Sequence, residues 1–114
     1  MNTLRNKVSL IGRLGAQPEI TKFESGSTKA RMSVATNEPY KNKQGEWVDN
    51  TQWHTVVAWG STAERMAKKL DKGLEVVIEG RLVNRSYESK GEKRYSTEIE
   101  VNEFLIITPK VENN

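Results

Sequence analysis

The stretch Thr51-Gln52-Trp53-His54-Thr55-Val56-Val57-Ala58-Trp59-Gly60 decides the fold of this chain. β-Branched and aromatic residues dominate it and a glycine closes it, so it predicts a β-strand. Because side chains alternate between the two faces of a strand, Trp53 and Trp59 share one face, and His54 and Val56 share the other. Two tryptophans on one strand face can complete a core layer or form a platform on which nucleobases stack. The strand alone leaves both alternatives open.

The composition indicates one domain without a catalytic centre. A chain of 114 residues can bury a modest core, and we assign residues 1–109 to a single domain and residues 110–114 to a short tail. With no cysteine and one histidine, His54, the chain lacks the ligands of most metal sites. We therefore expect no metal, no cofactor and no enzymatic activity. No apolar run is long enough to span a membrane and the N-terminus does not resemble a signal peptide, so we expect a soluble, cytoplasmic protein.

The order of predicted elements favours a small closed barrel. Alternation of apolar and polar side chains predicts five strands, over residues 6–14, 29–36, 51–60, 74–87 and 94–107. A helix follows the third strand, with Ser61 as N-cap, Glu64 completing a capping box, and Gly73 beyond its end. Gly12 and Gly80 lie inside strands and indicate bends or close backbone approaches. Five curved strands with a helix between the third and fourth predict an all-β fold, the five-stranded OB-fold Greek-key barrel.

Apolar residues on one face of each element already supply a core without Trp53 and Trp59. We expect that core to contain Val8, Leu10, Met32, Val34, Val56, Met66, Ile78 and Leu82. This favours the platform, although the two tryptophans could still be core residues. Residues 37–50 form the longest irregular segment, and a loop of that length in a small domain is usually functional. The loop interleaves Tyr40 and Trp47 with Lys41 and Lys43, and its aromatic residues either bind a ligand or pin the loop.

Charge is clustered along the chain although the net charge is only +3. Residues 81–95 carry five basic and two acidic side chains, and Tyr87 lies among them. Clustered bases suit a polyanionic partner, and aromatic planes between bases suit single-stranded nucleic acid. Glu98 and Glu100 alternate along a strand, and we expect them on a solvated outer face. For His54 we expect a hydrogen bond in the interior or at an interface, not catalysis.

The motifs of this chain resemble bacterial single-stranded DNA-binding proteins over roughly residues 4–107. The matching segments are Asn6-Lys7-Val8-Ser9-Leu10-Ile11-Gly12-Arg13-Leu14-Gly15, Pro18-Glu19, the opening stretch, Ile78-Glu79-Gly80-Arg81-Leu82 and Arg94-Tyr95. The resemblance implies that four aromatic residues stack on bases: Trp53, Trp59, Tyr40 and Tyr87. With it, we expect phosphate contacts from Arg5, Lys7, Lys41, Lys43, Arg85, Lys93 and Arg94, and Trp47 as an additional loop aromatic. It also implies that His54 lies at a subunit interface, in a homotetramer (a dimer of dimers) whose first strands pair between subunits.

The resemblance implies a bacterial protein that binds single-stranded DNA without sequence preference. Such a protein coats and protects exposed strands of the nucleoid during replication, recombination and repair. The family usually continues into a Gly/Gln/Pro-rich tail that ends in acidic residues, whereas only Glu112 is acidic in the last few residues here. Partners recruited through that tail are therefore in doubt. Three alternatives remain: a dimeric accessory factor similar to primosomal replication protein N, an OB module that binds a protein or an oligosaccharide, and an enzyme acting on nucleic acid.

Overall fold

The computed structural model describes residues 3–107, so the predicted tail at residues 110–114 lies outside the described part. A 3₁₀ turn at Thr3–Arg5 precedes the strands. The elements that follow are β1 (Val8–Leu14), β2 (Glu19–Lys22), β3 (Thr28–Asn37), β4 (Tyr40–Lys41), β5 (Trp47–Val48), β6 (Thr51–Trp59), α1 (Gly60–Lys69), β7 (Glu75–Ser89) and β8 (Glu92–Ile106).

Six of these strands form one sheet that closes on itself. Their order is β1-β7-β8-β6-β3-β2, and β1 pairs again with β3 to close the barrel. The pairing of β6 with β8 is parallel and the others are antiparallel. The five long strands are the predicted ones, and the helix lies between the third and fourth of them. The short strands β2, β4 and β5 raise the number of strands in residues 3–107 above the predicted five.

The core occupies the barrel interior, as the alternation predicts. Val34, Val56 and Ile78 are fully buried, together with Met66 from α1. Val8 and Leu10 are partly buried and pack against this cluster. Leu82 was predicted to be a core residue, and this is wrong because 46% of its surface is exposed. A register shift at Glu79/Gly80 precedes it, and the β7–β8 hairpin then runs on past the barrel.

Two glycines allow strands to approach closely, as their positions inside strands predict. A Cβ atom at Gly12 would collide with the carbonyl oxygen of Ala35, next to the β1–β3 pairing that closes the barrel. A Cβ atom at Gly80 would collide with the carbonyl oxygen of Glu100 across the β7–β8 pairing. Backbone atoms cannot rotate away as side chains can, so each pair of strands approaches this closely only because the glycine has no side chain.

Helix α1 differs from the prediction at its start. Trp59 is the N-cap and no side chain caps the helix, so the predicted capping box of Ser61 and Glu64 is wrong. The Glu64 carboxylate instead accepts a hydrogen bond from the Thr28 hydroxyl (3.3 Å), which ties the helix to β3. Ala63 and Met66 are buried, which confirms the prediction that Met66 is a core residue. None of the helices in the described residues is long and apolar enough to cross a membrane.

The β7–β8 turn is tighter than the predicted loop at residues 88–93. Ser89 pairs with Glu92, so only two residues connect the strands. Lys90 and Gly91 have φ values of 54° and 78°, as in the type I′ turns that match the twist of a hairpin. The hairpin is consequently an ordered, 15-residue-long pair of strands, and its outer half is available to a ligand.

Candidate nucleic-acid interface

The outer face of β3 and β6 carries both tryptophans of the opening stretch. The β3–β6 register places Lys29 opposite Trp59 and Ala35 opposite Trp53. Trp53 is 62% exposed and Trp59 38% exposed. The alternative in which they fill the core is therefore wrong, since the interior face of β6 is occupied by Val56 and its neighbours. Two aromatic planes thus stand on a strand whose other face is fixed by the core.

Trp53 is supported by the turn that follows β1. A Cβ atom at Gly15 would lie 2.5 Å from Cζ3 and 2.8 Å from Cη2 of the Trp53 ring, closer than atoms can pack. The Gly15 amide donates a hydrogen bond to the Ser33 carbonyl oxygen (3.0 Å), which fixes the backbone under the ring. The contact between Gly15 and the indole ring was not predicted from the sequence.

Trp59 belongs to an aromatic and cationic cluster that the sequence analysis missed. Phe23 stacks on it, with ring centroids 5.9 Å apart and planes inclined by 22°. The Lys29 ammonium lies 5.5 Å from the Trp59 ring centroid, a cation–π distance. Phe23 is 43% exposed, and its position beside a glycine-containing turn was the available signal. Lys29 was not among the predicted phosphate contacts.

Residues 37–50, predicted to be an irregular segment, are irregular for most of their length but contain a short hairpin. In this hairpin β4 pairs with β5. Tyr40 is 52% exposed and Trp47 71% exposed, so these aromatic residues do not pin the loop to the barrel. The side chains of Lys41 and Lys43 lie on the same hairpin, and no ion pair within residues 3–107 involves either of them. The structure therefore presents both predicted aromatics and both lysines to solvent.

A third group of predicted residues meets at the end of the β7–β8 hairpin. Tyr87 pairs with Arg94 across the strands and is 50% exposed. An open cleft of about 370 Å³ lies there, lined by Tyr87, Glu92, Lys93, Arg94 and Tyr95. The Lys93 ammonium is 5.9 Å from the Tyr95 ring centroid. Tyr95 is 72% exposed, although it was not among the predicted stacking residues.

The carboxylates of β8 are not the solvated pair that was predicted. Glu98 is only 8% exposed and accepts a hydrogen bond from Arg85 Nε (2.9 Å). Glu100 likewise accepts from Arg81 (3.1 Å). The prediction was wrong because β8 lies between β7 and β6 in the sheet, so its outer face is flanked by side chains on both sides. Arg85, a predicted phosphate contact, is consequently already held by a carboxylate.

Other predicted phosphate contacts also have acidic partners. Lys7 lies 3.6 Å from Glu79 and Arg94 lies 3.5 Å from Glu92. Both pairs are exposed, and exposed pairs contribute little to stability, so a phosphate can compete for either base. The bases of the interface therefore differ: Lys41 and Lys43 are available, Lys7 and Arg94 are weakly paired, and Arg85 is firmly paired.

His54 lies on the other face of β6, away from the tryptophans. Its Nε2 and the Thr36 hydroxyl are 3.0 Å apart, a hydrogen bond whose direction depends on the tautomer. An open cleft of about 400 Å³ lies beside it, lined by Ser9, Leu10, Ile11, Thr36, Asn37, Glu38, Gln52 and His54. The structure thus separates His54 from the aromatic face and joins it to a cleft along β1.

Sequence comparisons match nearly the whole described chain. The model of the single-strand binding protein family matches residues 5–107. The chain is 40% identical over 107 residues to single-stranded DNA-binding protein 1 of Chlorobaculum tepidum, covering 92% of this chain and 66% of that protein. It is 40% identical over 111 residues to single-stranded DNA-binding protein 1 of Xylella fastidiosa, covering 96% of this chain and 82% of that protein.

Solved structures confirm the predicted fold. A deletion mutant of the single-stranded DNA binding protein from Thermus aquaticus superposes with a TM-score of 0.80 at 27% identity, covering 92% of this chain and 51% of that one. A Plasmodium falciparum SSB in complex with ssDNA superposes with a TM-score of 0.81 at 29% identity, covering 90% and 95%. The chain spans about half of the Thermus protein and just under two thirds of the Chlorobaculum relative.

Proposed function

Because the chain belongs to the single-strand binding protein family, we propose that it binds single-stranded DNA without sequence preference. It would coat and protect exposed strands during replication, recombination and repair, on the nucleoid in the cytoplasm. The observation that carries the proposal is the pair of exposed tryptophans, Trp53 and Trp59, on the outer face of β3 and β6. The family is named for binding and not for a reaction, which agrees with the prediction that the chain is not an enzyme.

Base stacking is the proposed source of most of the affinity. Four exposed aromatic residues, Trp53, Trp59, Tyr40 and Tyr87, offer their planes to solvent. Stacking on such a residue contributes roughly 1–3 kcal/mol per base and is tolerant of sequence because every base has a π-face. Screened contacts between surface charges contribute less individually.

Basic side chains would follow the phosphates between these planes. We propose this role for Arg5, Lys7, Lys41, Lys43, Arg85, Lys93 and Arg94. To them we add Lys29 and Arg31 of β3, which lie on the same outer face of the β3–β6 pair as the two tryptophans of β6. Lys7, Arg85 and Arg94 must exchange a carboxylate for a phosphate, so their net contribution is smaller than that of unpaired bases.

A fluorescence titration with poly-dT, beside the same titration with duplex DNA, tests the proposal. Stacking on Trp53 and Trp59 should quench tryptophan emission with poly-dT and much less with duplex DNA, whose bases are already stacked. Affinity should also fall steeply as salt increases, because bound phosphates release counterions. Unchanged emission with poly-dT would instead favour an OB module that binds a protein or an oligosaccharide. Cleavage of the DNA in the presence of a divalent metal would favour an enzyme.

A homotetramer is also proposed, and the free side of β1 supports it. β1 pairs with β7 along Val8 to Arg13, but with β3 only at Arg13 and Leu14. Its other edge therefore has no strand partner in residues 3–107 before Arg13, and an open edge favours pairing with a second copy. The His54 cleft borders this strand, which supports His54 as an interface residue.

An apolar row on the outer face of the same sheet supports a second kind of contact. Ile11 pairs with Val77, which pairs with Leu105. Ile11 and Leu105 are 57% and 66% exposed, and exposed apolar patches commonly mark interfaces. Pairing through β1 would form dimers, and this row would join them.

Sedimentation should give about four times the chain mass of 13.0 kDa, whereas a stable dimer with weak DNA binding would favour the accessory factor similar to primosomal replication protein N.

A further inference from the structure

The β4–β5 hairpin is a two-stranded ribbon, held by hydrogen bonds at both ends. At its tip the Asn42 side-chain oxygen accepts hydrogen bonds from the amides of Gln44 (3.0 Å) and Glu46 (2.9 Å). At its base the Glu38 amide donates to the Asn50 carbonyl oxygen (3.0 Å), and the Asn50 amide donates to the Asn37 side chain (3.2 Å). These hydrogen bonds therefore fix the face of the ribbon from which each side chain projects.

The register of the ribbon places its two aromatic residues on opposite faces. Tyr40 pairs with Val48, and Lys41 pairs with Trp47. Directly paired residues share a face, and neighbours along a strand point to opposite faces. Trp47 therefore lies on the reverse side of the hairpin from Tyr40, with Lys41 beside it. A strand of DNA stacked on Tyr40 along one face cannot reach Trp47 without passing around the ribbon.

Trp47 is not a structural residue of this chain. At 71% exposure it is the most exposed tryptophan of the three, and within residues 3–107 no ring stack or cation–π contact involves it. Its cross-strand partner Lys41 projects a positively charged side chain from the same face of the hairpin. An aromatic plane next to a cation is the combination that binds a base and its phosphate.

We propose that Trp47 and Lys41 form a second stacking site on the reverse face of the β4–β5 hairpin. This inference rests on the proposed DNA-binding function and extends it. A short oligonucleotide occupies the Trp53 face alone, whereas a longer strand passes around the hairpin and stacks a further base on Trp47. The hairpin thereby acts as a ribbon with one aromatic platform on each side.

A length series of oligo-dT tests the site. Wild type, Trp47→Ala, Trp47→Phe and Trp53→Ala are titrated with oligomers from about 4 to about 16 nucleotides, the range that one OB fold covers, and then with poly-dT. Trp47→Ala should bind the shortest oligomers like wild type and bind poly-dT about five- to 150-fold more weakly. Trp47→Phe keeps an aromatic plane and should retain most of the affinity. Trp53→Ala should bind every length more weakly.

A single-tryptophan variant reports on the site directly. The chain has three tryptophans, so the double variant Trp53→Phe/Trp59→Phe leaves Trp47 as the sole indole. Its emission should be quenched by poly-dT and much less by the shortest oligomers. In the length series, Trp47→Ala and Trp47→Phe should leave the circular dichroism spectrum unchanged, because Trp47 is exposed.

Several outcomes would overturn the inference. The affinity of Trp47→Ala could equal that of wild type at every oligomer length, in which case Trp47 does not contact DNA. Alternatively, its affinity could fall by the same factor at every length, which would put Trp47 on the same path as Trp53. A changed oligomer mass with unchanged poly-dT affinity would assign Trp47 to a contact between copies of the chain. If Trp53→Ala weakens binding and Trp47→Ala does not, only this inference fails. If wild type binds no dT at any length, the proposed function fails as well.

Discussion

Replacing Gly15 by alanine should weaken DNA binding through Trp53 while leaving the barrel intact. The new Cβ atom would lie 2.5 Å from Cζ3 of Trp53, whereas ordinary contacts begin at 3.4 Å. The ring must therefore move by about 0.9 Å at that atom. The indole is 62% exposed and can tilt into solvent. The Gly15 backbone is held by its hydrogen bond to Ser33 (3.0 Å), so we expect the ring to move rather than the backbone.

The size of the effect has an upper limit. Loss of one stacked base costs roughly 1–3 kcal/mol, and a tilted ring retains part of that stack, so Gly15→Ala should cost less than Trp53→Ala. Gly15 lies outside the left-handed region of backbone conformation, and alanine is therefore tolerated there. Alanine has less backbone conformational entropy than glycine in the unfolded chain, and this should offset part of any packing cost, by about 0.4–1 kcal/mol. Urea denaturation should accordingly give a stability close to that of wild type.

A double-mutant cycle decides whether the effect acts through the ring. Affinities for poly-dT are measured for wild type, Gly15→Ala, Trp53→Ala and the double variant. Because the added methyl group acts only by displacing the indole, it should have no further effect once the indole is gone. An equal loss of affinity in the Trp53→Ala background would refute the reasoning, as would an unchanged affinity of Gly15→Ala.

Three other substitutions test the fold and the interface. Gly80→Ala should destabilise the barrel by about 1–3 kcal/mol, measured by urea denaturation, because its Cβ meets the Glu100 carbonyl oxygen and not a movable side chain; wild-type stability would contradict this. Glu98→Gln should release Arg85 for contact with a phosphate, because it removes the carboxylate that Arg85 binds. Poly-dT binding should then tighten. The slope of log K against log salt should steepen by up to about 0.7, the value for one phosphate on a single strand. An unchanged slope would mean that Arg85 does not contact DNA. Phe23→Ala should leave Trp59 less restrained, because it removes a ring pair worth about 0.5–1.5 kcal/mol. We expect lower thermal stability together with weaker poly-dT binding. If thermal stability and poly-dT affinity are both unchanged, the stack has no such role.

The period-two pattern of the strands predicted most of the fold. It assigned Met32, Val34, Val56 and Ile78 to the interior because a barrel has one apolar face per strand. It failed for Leu82 because the pattern does not show where a long hairpin leaves the barrel. The hydrogen-bonding partners of Glu64 and Glu98 could not be predicted either. Each depends on a residue far away in sequence, Thr28 and Arg85 respectively.

The same limit explains which parts of the site were missed. An exposed aromatic residue is recognisable when it lies on a strand that already has a filled core face, as Trp53 and Trp59 do. Phe23 was missed because its role depends on stacking against Trp59, 36 positions along the chain, as the structure shows. The two faces of the β4–β5 hairpin could not be separated because their assignment depends on the pairing register of residues 37–50, a segment that lacks an alternating pattern.

Strand β6 explains how one element can combine affinity with tolerance of sequence. Its interior side chains, Val56 and Ala58, are fully buried, so the backbone that carries Trp53 and Trp59 is already ordered before DNA arrives. The cost of fixing the two indole planes is therefore low, and more of the stacking free energy remains for binding. In the proposed interface, the planes supported by Gly15 and Phe23 would contact the π-faces of bases, which all four bases share, and not the edges that distinguish them. Supported aromatic planes and exposed lysines would thus combine affinity with tolerance of sequence in the proposed mode of binding.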